Sequence, residues 1–343
     1  MRRISRRDFV TGIIQTISAM TLASTIPSLP VHSEVNISTL DTRKIGHVVR
    51  LRFTGKLQGS VGPSRRTIAA GIRVALQKLF DAEDETSPWR AIFPQDKSFS
   101  LKTNCLSGFR LSTSPDVSLA VVDCLEQHLH ISPTNCTIWD RSERELESAG
   151  YHINRTGSGP KIIATDTEGI GYSGSLYMQG NACSLLSRII TDHARCWINI
   201  PKLKDHNLSG VSGCLKNTFG VIHNPNKYHG NHCDPYVADV NAIPLIRERF
   251  RLAVVDALTV QYHGGPGYKA EWCSKENCLL ISRDPVAVDY IGWRMIEQLR
   301  KTHGLPPLEM EGRHPIHLQT AASPAYGLGK YGEADICVLE VEL

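Results

Sequence analysis

The sequence predicts an α/β protein in which strands and helices alternate around a largely parallel sheet, arranged in one or two lobes. Short segments rich in Val and Ile alternate along the chain with amphipathic segments of helical period. This alternation is typical of βαβ units, whose strands pair in parallel. The length of 343 residues, with 41% hydrophobic and 21% charged residues, supplies a core for one large domain or two modest ones.

The first part of the chain contains most of the predicted elements. Apolar runs predict strands at 48–53, 98–103, 137–139, 161–164 and 196–200. Helical periodicity predicts helices at 66–80, 115–130, 143–149 and 182–191. In the first of these helices Ile68, Ile72 and Leu76 share one face, which we expect to be buried.

The second part of the chain begins with a glycine-bearing segment that runs to Gly220. After it we predict a helix near 239–248 and strands at 251–256 and 336–341. Asp284-Pro285 marks a further helix start, because Asp caps a helix and Pro fits its first position. Asp289, one turn into that helix, either faces a site or is favoured there by the helix dipole. Ligands of parallel sheets collect beyond the strands' carboxyl ends, so we expect a site in the loops after residues 103, 139, 200 and 256.

Composition and charge exclude several classes of protein. A soluble globular composition without a repeat of about 20–50 residues excludes a disordered chain, a collagen-like chain, a multi-span membrane protein and a solenoid. The formal net charge is +4, of which four arginines and one aspartate in the first 33 residues contribute +3. The remaining +1 provides no basic surface, so no nucleic-acid partner is expected.

Residues 1–33 are typical of a twin-arginine signal peptide. Ser5-Arg6-Arg7-Asp8-Phe9-Val10 places two arginines before a polar and two apolar residues, and a mildly apolar run follows. We predict export by the twin-arginine (Tat) machinery to the periplasm or beyond, with a linker at 34–44, an α/β domain at 45–343 and no stable membrane span after cleavage. An uncleaved N-terminal anchor is the alternative. This export route carries folded proteins, often with a cofactor already in place.

Ten cysteines would meet an oxidising compartment after export. The sequence has no Cys-x2-Cys pair and no ferredoxin-type run, which disfavours a self-contained iron–sulfur cluster. Cys273 and Cys278 flank a short polar segment and could form a local disulfide. In contrast, Cys124, Cys196 and Cys337 lie in apolar stretches, where a buried free thiol is the ordinary outcome.

The segment from Ile200 to Tyr236 concentrates chemically active side chains. Three of its four lysines follow or end a buried strand and suit a phosphate or carboxylate as point charges. Glycines at 210, 213 and 220 let the backbone approach a ligand closely. A polar surface loop with incidental histidines is the alternative. These three lysines are Lys202, Lys204 and Lys216, and the side chains competent to bind a metal are His229, His232 and Cys233.

Other polar residues lie at or near predicted strand ends. Asp140 and Asp256 each end a strand, where a carboxylate can bind a metal, orient a base or only cap the structure. Asn104 and Asn217 neighbour lysines, among them Lys102, and can orient a ligand. The sequence has no Gly-x-Ser-x-Gly or Walker motif, and no dinucleotide-binding fingerprint placed directly between a predicted strand and a predicted helix. A hydrolase elbow, a P-loop and a Rossmann site are therefore disfavoured.

One block of this segment resembles the signature of the domain of unknown function 362 family. The block runs from Ile200-Pro201-Lys202-Leu203-Lys204-Asp205-His206 to Lys216-Asn217-Thr218-Phe219-Gly220. Further matches are Lys102-Thr103-Asn104, Asp256 followed by Gly264-Gly265-Pro266-Gly267, Asp284-Pro285-Val286-Ala287-Val288-Asp289 and Gly327-Leu328-Gly329. The resemblance spans about residues 45–343. Many relatives are described as iron–sulfur proteins because of an appended ferredoxin segment, and this sequence lacks that motif.

A second pattern is similar to one in the lactate racemase family, whose nickel-pincer nucleotide is tethered to a lysine. His206, Lys216 and His232 form His-x9-Lys-x15-His. The resemblance implies that Lys216 holds or contacts a cofactor, that His232 is a metal ligand, and that His206 is an acid/base near its ordinary pKa. The racemases place a second catalytic histidine after an earlier strand, and here Asp140 or another group would have to take that role.

Two functions follow from these observations. The first is an exported enzyme that uses a divalent metal or a metal–organic cofactor on a small anionic substrate, with His206, Lys216 and Asp140 as catalytic groups. The second is a non-catalytic periplasmic binding or maturation protein that holds an anionic ligand or a metal through the same residues. The residues predicted to bind the ligand or cofactor are Lys102, Asn104, Lys202, Lys204, Asn217 and Asp256.

Overall fold

The structure, a computed structural model, describes residues 46–55 and 62–343. The predicted signal peptide and linker lie outside these residues. From Gly46 onward the described residues belong to one compact unit, so of the two predicted arrangements the single lobe is found. No helix in the described part of the chain is long and apolar enough to cross a membrane.

A mostly parallel sheet of ten strands organises the described residues, and two further strands form a separate hairpin. The order in the sheet is β12-β1-β11-β10-β7-β2-β3-β4, with β8 paired to β10 and β9 to β8. Strands β9 and β11 run antiparallel to their neighbours, and the other pairings in the sheet are parallel. The strands are β1 Gly46–Arg52, β2 Phe99–Lys102, β3 Cys136–Asp140, β4 Lys161–Ala164, β5 Tyr177–Gln179, β6 Ala182–Ser184, β7 Cys196–Asn199, β8 Lys202–His206, β9 Gly210–Ser212, β10 Phe250–Gln261, β11 Cys273–Ser282 and β12 Ile336–Glu342.

The α-helices alternate with these strands, as the sequence predicts. The predicted start at Asp284 is confirmed, because its carboxylate accepts hydrogen bonds from the backbone N–H groups of Val286 and Ala287. The helices are α1 Arg65–Phe80, α2 Ser87–Ile92, α3 Pro115–Leu129, α4 Glu143–Ser148, α5 Cys214–Asn217, α6 Tyr236–Ala242, α7 Pro244–Arg249, α8 Pro285–Thr302 and α9 Ile316–Ala322.

An apolar core lies on each face of the sheet, because successive residues of a strand point to opposite faces. In β1, Val48 belongs to one core and Val49 to the other, and Trp139 and Ile138 of β3 divide in the same way. Helices α1, α2 and α3 contribute to one core, and α6, α7, α8 and α9 contribute to the other. Since both faces are covered, the ends of the strands are where polar chemistry can collect.

The structure corrects two predicted elements and contains one long strand that was not predicted. The predicted helix at 182–191 is wrong, because Ala182–Ser184 pairs with β5 and a single π-helical turn follows at Ile189–His193. The predicted helix near 239–248 divides into α6 and α7, because Pro244 cannot continue a helix but fits the start of a new one. Strand β11 was not predicted, since its first half, Cys-Ser-Lys-Glu-Asn, is polar.

All ten cysteines, which lie between residues 105 and 337, are free thiols. The disulfide considered between Cys273 and Cys278 is not formed. Both residues lie on β11, where five residues of extended strand span about 16 Å, and a disulfide bridges Cα atoms at most about 7 Å apart. Cys124 is buried as predicted, and burial raises the pKa of its thiol to about 12.

Candidate functional site

The parallel strands end side by side and bring most of the predicted site residues together. Lys102, at the end of β2, is in register with Trp139 of β3 and Asn199 of β7. Asp256 of β10 is in register with Lys202 of β8. The loops after residues 103, 139 and 200 therefore lie at one edge of the sheet, as predicted from the sequence. The predicted strand end at Asp256 is wrong, because β10 continues to Gln261 and Asp256 lies inside it.

The first feature of this edge is a buried ion pair between Lys102 and Asp140. Their side chains are 1% and 7% exposed, and Lys102 Nζ lies 2.6 Å from Asp140 Oδ1. The same ammonium donates to the carbonyl oxygen of Thr103 at 2.6 Å, and Asp140 Oδ2 accepts from the backbone N–H of Cys105 at 2.6 Å. A Cβ at Gly220 would lie 2.7 Å from Lys102 Nζ, so only glycine leaves this pair its space.

A second buried ion pair joins Lys202 and Asp256. Lys202 Nζ lies 2.7 Å from Asp256 Oδ1, and both side chains are almost inaccessible. Asp256 Oδ2 accepts a hydrogen bond from the backbone N–H of Ser114 at 2.8 Å. The charges of Lys102 and Lys202 are thus neutralised in place. The first pair joins the ends of β2 and β3, and the second joins the start of β8 to the middle of β10.

Lys204 is different, because it is buried without a carboxylate. It is 1% exposed, and its Nζ donates to Asn104 Oδ1 at 3.1 Å and to Ser107 Oγ at 2.7 Å. Among the described residues no acidic group forms an ion pair with it. Burial, reinforced by the nearby charge of Lys202, lowers the pKa of Lys204 from 10.5 to about 7.

Lys216 is the second buried lysine without a carboxylate in the described ranges. It lies on the short helix α5, is 7% exposed, and its Nζ is 3.1 Å from His229 Nε2. The ammonium also lies over the ring of Phe219, 4.1 Å from the centroid. Burial lowers the pKa of Lys216 to about 8.

Asparagine side chains connect the surroundings of Lys102 and Lys204. Asn217 Oδ1 accepts from Asn104 Nδ2 at 3.2 Å and lies 3.4 Å from Lys102 Nζ. Asn104 in turn accepts from Lys204, and Asn217 donates to Asn199 Oδ1 at 2.7 Å. Asn104 and Asn217 therefore contact the ammonium groups of Lys204 and Lys102, and their predicted role in orienting a ligand stays a prediction.

His206 lies beside Lys216 and His229, but its imidazole does not have an ordinary pKa. Its Nδ1 accepts hydrogen bonds from the backbone N–H groups of Leu208 and Ser209 at 3.2 and 3.3 Å. Its ring stacks on that of His229 with centroids 5.8 Å apart. Burial and the charge of Lys216 lower the pKa of His206 to about 2. His206 is therefore a neutral donor through Nε2–H, and the premise of an acid/base that titrates near neutrality does not hold.

The predicted metal ligands lie in separate surroundings. His229 faces Lys216, while the exposed His232 has its Nδ1 3.0 Å from the carbonyl oxygen of Leu208. Cys233 is buried, and burial raises the pKa of its thiol. The part of the chain that the structure describes contains no group of three or more His, Cys, Asp or Glu side chains that could hold a metal ion. His229, His232 and Cys233 are therefore not arranged to hold a divalent metal without further ligands. Their role as metal ligands stays a prediction.

A buried aspartate positions the helix that carries Lys216. Asp289 of α8 accepts hydrogen bonds from the backbone N–H groups of Cys214 and Leu215, the latter at 2.8 Å. A Cβ at Gly213 would lie 2.2 Å from Asp289 Oδ1, so the close approach requires glycine. Burial raises the pKa of Asp289 to about 7. The carboxylate of Asp289 therefore caps the first turn of the neighbouring helix α5. This role differs from both roles predicted for it.

Two further residues support the site and were missed from the sequence. Asp205, which lies between Lys204 and His206 in the sequence, is buried. Its Oδ1 accepts a hydrogen bond from Arg313 Nη1 at 2.6 Å. Its Oδ2 accepts from the backbone N–H of Gly265 at 2.8 Å. The position of Asp205 inside a block of charged residues was a usable signal. Arg313 lies 108 residues away from Asp205, and nothing in the sequence indicated that the two side chains pair.

The comparisons with known proteins concern the family and the fold. The sequence model of a family described as domain of unknown function 362 matches residues 100–294, which include every predicted site residue. A crystal structure of a Thermotoga maritima protein, a target of the Northeast Structural Genomics Consortium, is similar with a TM-score of 0.43 and 11% sequence identity. The match covers 69% of this chain and 60% of that one, so this chain spans about 60% of the length of its structural relative. No curated protein matches the sequence.

Proposed function

Because this chain belongs to the domain of unknown function 362 family, whose name carries no reaction, we propose its function from the geometry of the site. The chain is an enzyme that acts on a small anionic substrate at the carboxyl edge of its parallel strands. Lys204 and Lys216 bind the anion, and His206 donates a fixed hydrogen bond to it. The single observation that carries this proposal is the burial of two ammonium groups without carboxylate partners.

The charge balance of the site supports an anionic ligand. A buried ammonium is costly unless an opposite charge compensates it, and Asp140 and Asp256 are already used by Lys102 and Lys202. An anion at Lys204 and Lys216 supplies the missing compensation. Its binding would raise the pKa of both lysines, and protons would be taken up from solvent around pH 7 to 8.

The protonation of the lysines supports catalysis in addition to binding. With pKa values of about 7 and about 8, Lys204 Nζ and Lys216 Nζ each exchange a proton in the neutral range. A group with such a pKa can accept a proton from a bound substrate and return it. The Lys216–His229 hydrogen bond holds the ammonium in place, because His229 accepts through Nε2 while its Nδ1 donates to the carbonyl oxygen of Pro225.

A non-catalytic binding protein is the second candidate. It is favoured by the low pKa of His206, since an imidazole that stays neutral hydrogen-bonds a ligand without exchanging protons with it. A lysine-tethered organic cofactor, which the resemblance to the racemases implies, would be an anion held at the same lysines. Such a cofactor would not require a metal site formed by protein side chains alone.

The first experiment is mass spectrometry with elemental analysis and an absorption spectrum of protein purified from its own host. Extra mass on Lys216, or about one metal per chain, supports a bound cofactor. A colourless protein whose mass equals that of the polypeptide excludes a bound cofactor. The proposal of a small anionic ligand then remains. Calorimetric titration with phosphate, sulfate and small mono- and dicarboxylates then tests binding.

Variants at the lysines separate the proposed site from the rest of the surface. We expect Lys204→Met and Lys216→Met each to weaken anion binding at least tenfold at pH 7. Lys161→Met, at an exposed lysine of β4, is the matched control and should bind as the wild type does. Deuterium exchange into a bound anion in heavy water, lost in Lys216→Met, identifies catalysis. Equal affinities in all four proteins would refute the proposed site.

Export remains part of the proposal for residues 1–33. We propose that the twin-arginine machinery recognises Arg6 and Arg7 and delivers the folded chain out of the cytoplasm. Replacing both arginines with lysine should retain the protein in the cytoplasmic fraction. Unchanged fractionation of that variant would contradict the proposed route.

A further inference from the structure

A buried histidine on helix α9 has no hydrogen-bond partner on either ring nitrogen. His317 is fully buried, and among the described residues neither Nδ1 nor Nε2 finds a donor or acceptor. A neutral imidazole carries one N–H donor and one acceptor, and each buried group without a partner costs about 1–3 kcal/mol. Such a side chain calls for a partner that the protein does not supply.

The surroundings of His317 connect it to the proposed site. Helix α9 packs against α6, α8 and the turn Asn231–Cys233, which follows His229 in the chain. His317 is close enough to Lys216 for the ammonium to lower its pKa, and close enough to His206 to lower the pKa of that imidazole in turn. Helix α9 therefore contacts the turn next to His229, the residue that both Lys216 and His206 contact.

The free donors of this cluster come from three separate elements. Lys204 and His206 lie on β8, Lys216 on α5 and His317 on α9. His206 uses Nδ1 as an acceptor and leaves Nε2–H without a partner in the described chain. A ligand that satisfies all these groups must offer several acceptor oxygens in different directions.

The charge at the site indicates which oxyanion fits. Two ammonium groups lack a carboxylate, so two negative charges balance them. A phosphate group carries about −1.5 to −2 near pH 7 and presents at least three acceptor oxygens. A single carboxylate carries one charge and two oxygens in a plane. The tetrahedral, doubly charged group matches both the charge and the spread of the donors.

We propose that His317 contacts the ligand directly, and that the ligand presents a phosphate-class oxyanion to Lys204, Lys216, His206 and His317. This inference rests on the proposed function, because it identifies the anion of that same site. His317 lies beyond residues 100–294, so the family match does not include it. Free phosphate and a phosphate ester share this chemistry.

The test measures phosphate binding by calorimetry at pH 7 on the full chain. His317→Phe keeps an aromatic ring but removes both nitrogens, and we expect it to weaken phosphate binding at least tenfold. His317→Gln keeps a donor and an acceptor and should recover part of that loss. The matched control is His128→Phe, since His128 is also buried with an unpartnered Nε2 but stacks on Trp89 in the opposite core. A competing phosphate monoester distinguishes the two sources, because it binds more tightly than phosphate only if the site recognises an ester.

Urea unfolding of each variant without phosphate serves as the control for folding. Removing unpaired nitrogens should leave the free energy of unfolding of His317→Phe equal to or above that of the wild type. Phosphate affinity that is unchanged in His317→Phe overturns the inference, since His317 then does not contact the ligand. Binding of a carboxylate but not phosphate by the wild type also overturns it, while the proposed function stands. No anion binding that depends on Lys204 and Lys216 overturns both.

Discussion

Replacing Lys204 with methionine tests the central feature of the site, a buried charge without a counter-charge. In the unfolded chain the pKa of Lys204 is near 10.5, and in the folded protein burial lowers it to about 7. Because each tenfold change in proton affinity corresponds to about 1.4 kcal/mol, the folded state at low pH bears a cost of about 5 kcal/mol for this ammonium. Methionine has a similar length and no charge, so the variant does not bear that cost.

The sign of the effect follows from proton binding. Between pH 7 and 10.5 the unfolded chain keeps the proton on Lys204 and the folded protein has released it, so the free energy of unfolding rises with pH. Below pH 7 both states are protonated and the full cost applies. We therefore expect Lys204→Met to exceed the wild type in stability at pH 6 by up to about 5 kcal/mol. About 1 kcal/mol must be subtracted for each lost hydrogen bond, to Asn104 and to Ser107.

Urea unfolding followed by tryptophan fluorescence, at pH 6, 7, 8 and 9 in phosphate-free buffer with a reductant, measures this effect. The informative quantity is the difference between variant and wild type, because the ten thiols titrate in both proteins. That difference should shrink as pH rises. The exposed Lys161→Met should show no difference from the wild type at any pH. Parallel stability curves for Lys204→Met and the wild type would refute a buried, uncompensated ammonium at this position.

Three further substitutions test the framework around the lysines. Asp140→Asn leaves the Lys102 ammonium buried without its partner and should lower the free energy of unfolding by about 3–5 kcal/mol in urea; a loss below about 1 kcal/mol would contradict the buried pair. Gly220→Ala places a Cβ against Lys102 Nζ and should cost about 1–3 kcal/mol, whereas an unchanged urea midpoint would show that the pair has room to move. Asp289→Asn removes a carboxyl whose pKa is raised from 3.8 to about 7, so the folded wild type binds more protons than the unfolded chain across that window and loses stability as pH rises. The variant should lack this part of the pH dependence between pH 4 and 7, and an identical slope in both proteins would rule out the buried carboxyl as its source.

Much of the fold could be predicted because local patterns determine local structure. The strand 161–164 and the helix start at Asp284 follow from apolar runs and capping chemistry and are found as predicted. The errors have physical causes of the opposite kind. Strand β11 is polar in its first half and becomes a strand by pairing with β1 and β10, and residues 182–184 pair with β5 instead of continuing a helix. Strand pairing overrode local propensity in both places, with distant strands for β11 and with the adjacent strand β5 for residues 182–184.

The sequence by itself determined that lysines and carboxylates would meet at one edge of a parallel sheet, because strand ends can be read from apolar runs and parallel strands end together. Only the tertiary structure decided which lysines are compensated. Lys102 finds Asp140 and Lys202 finds Asp256, while Lys204 and Lys216 find amide, hydroxyl and imidazole groups. The strand order sets these partners, and burial then sets the proton affinities. The partners and the proton affinities of the lysines cannot be predicted from the spacing of residues along the chain. Both depend on which segments lie next to each other in space.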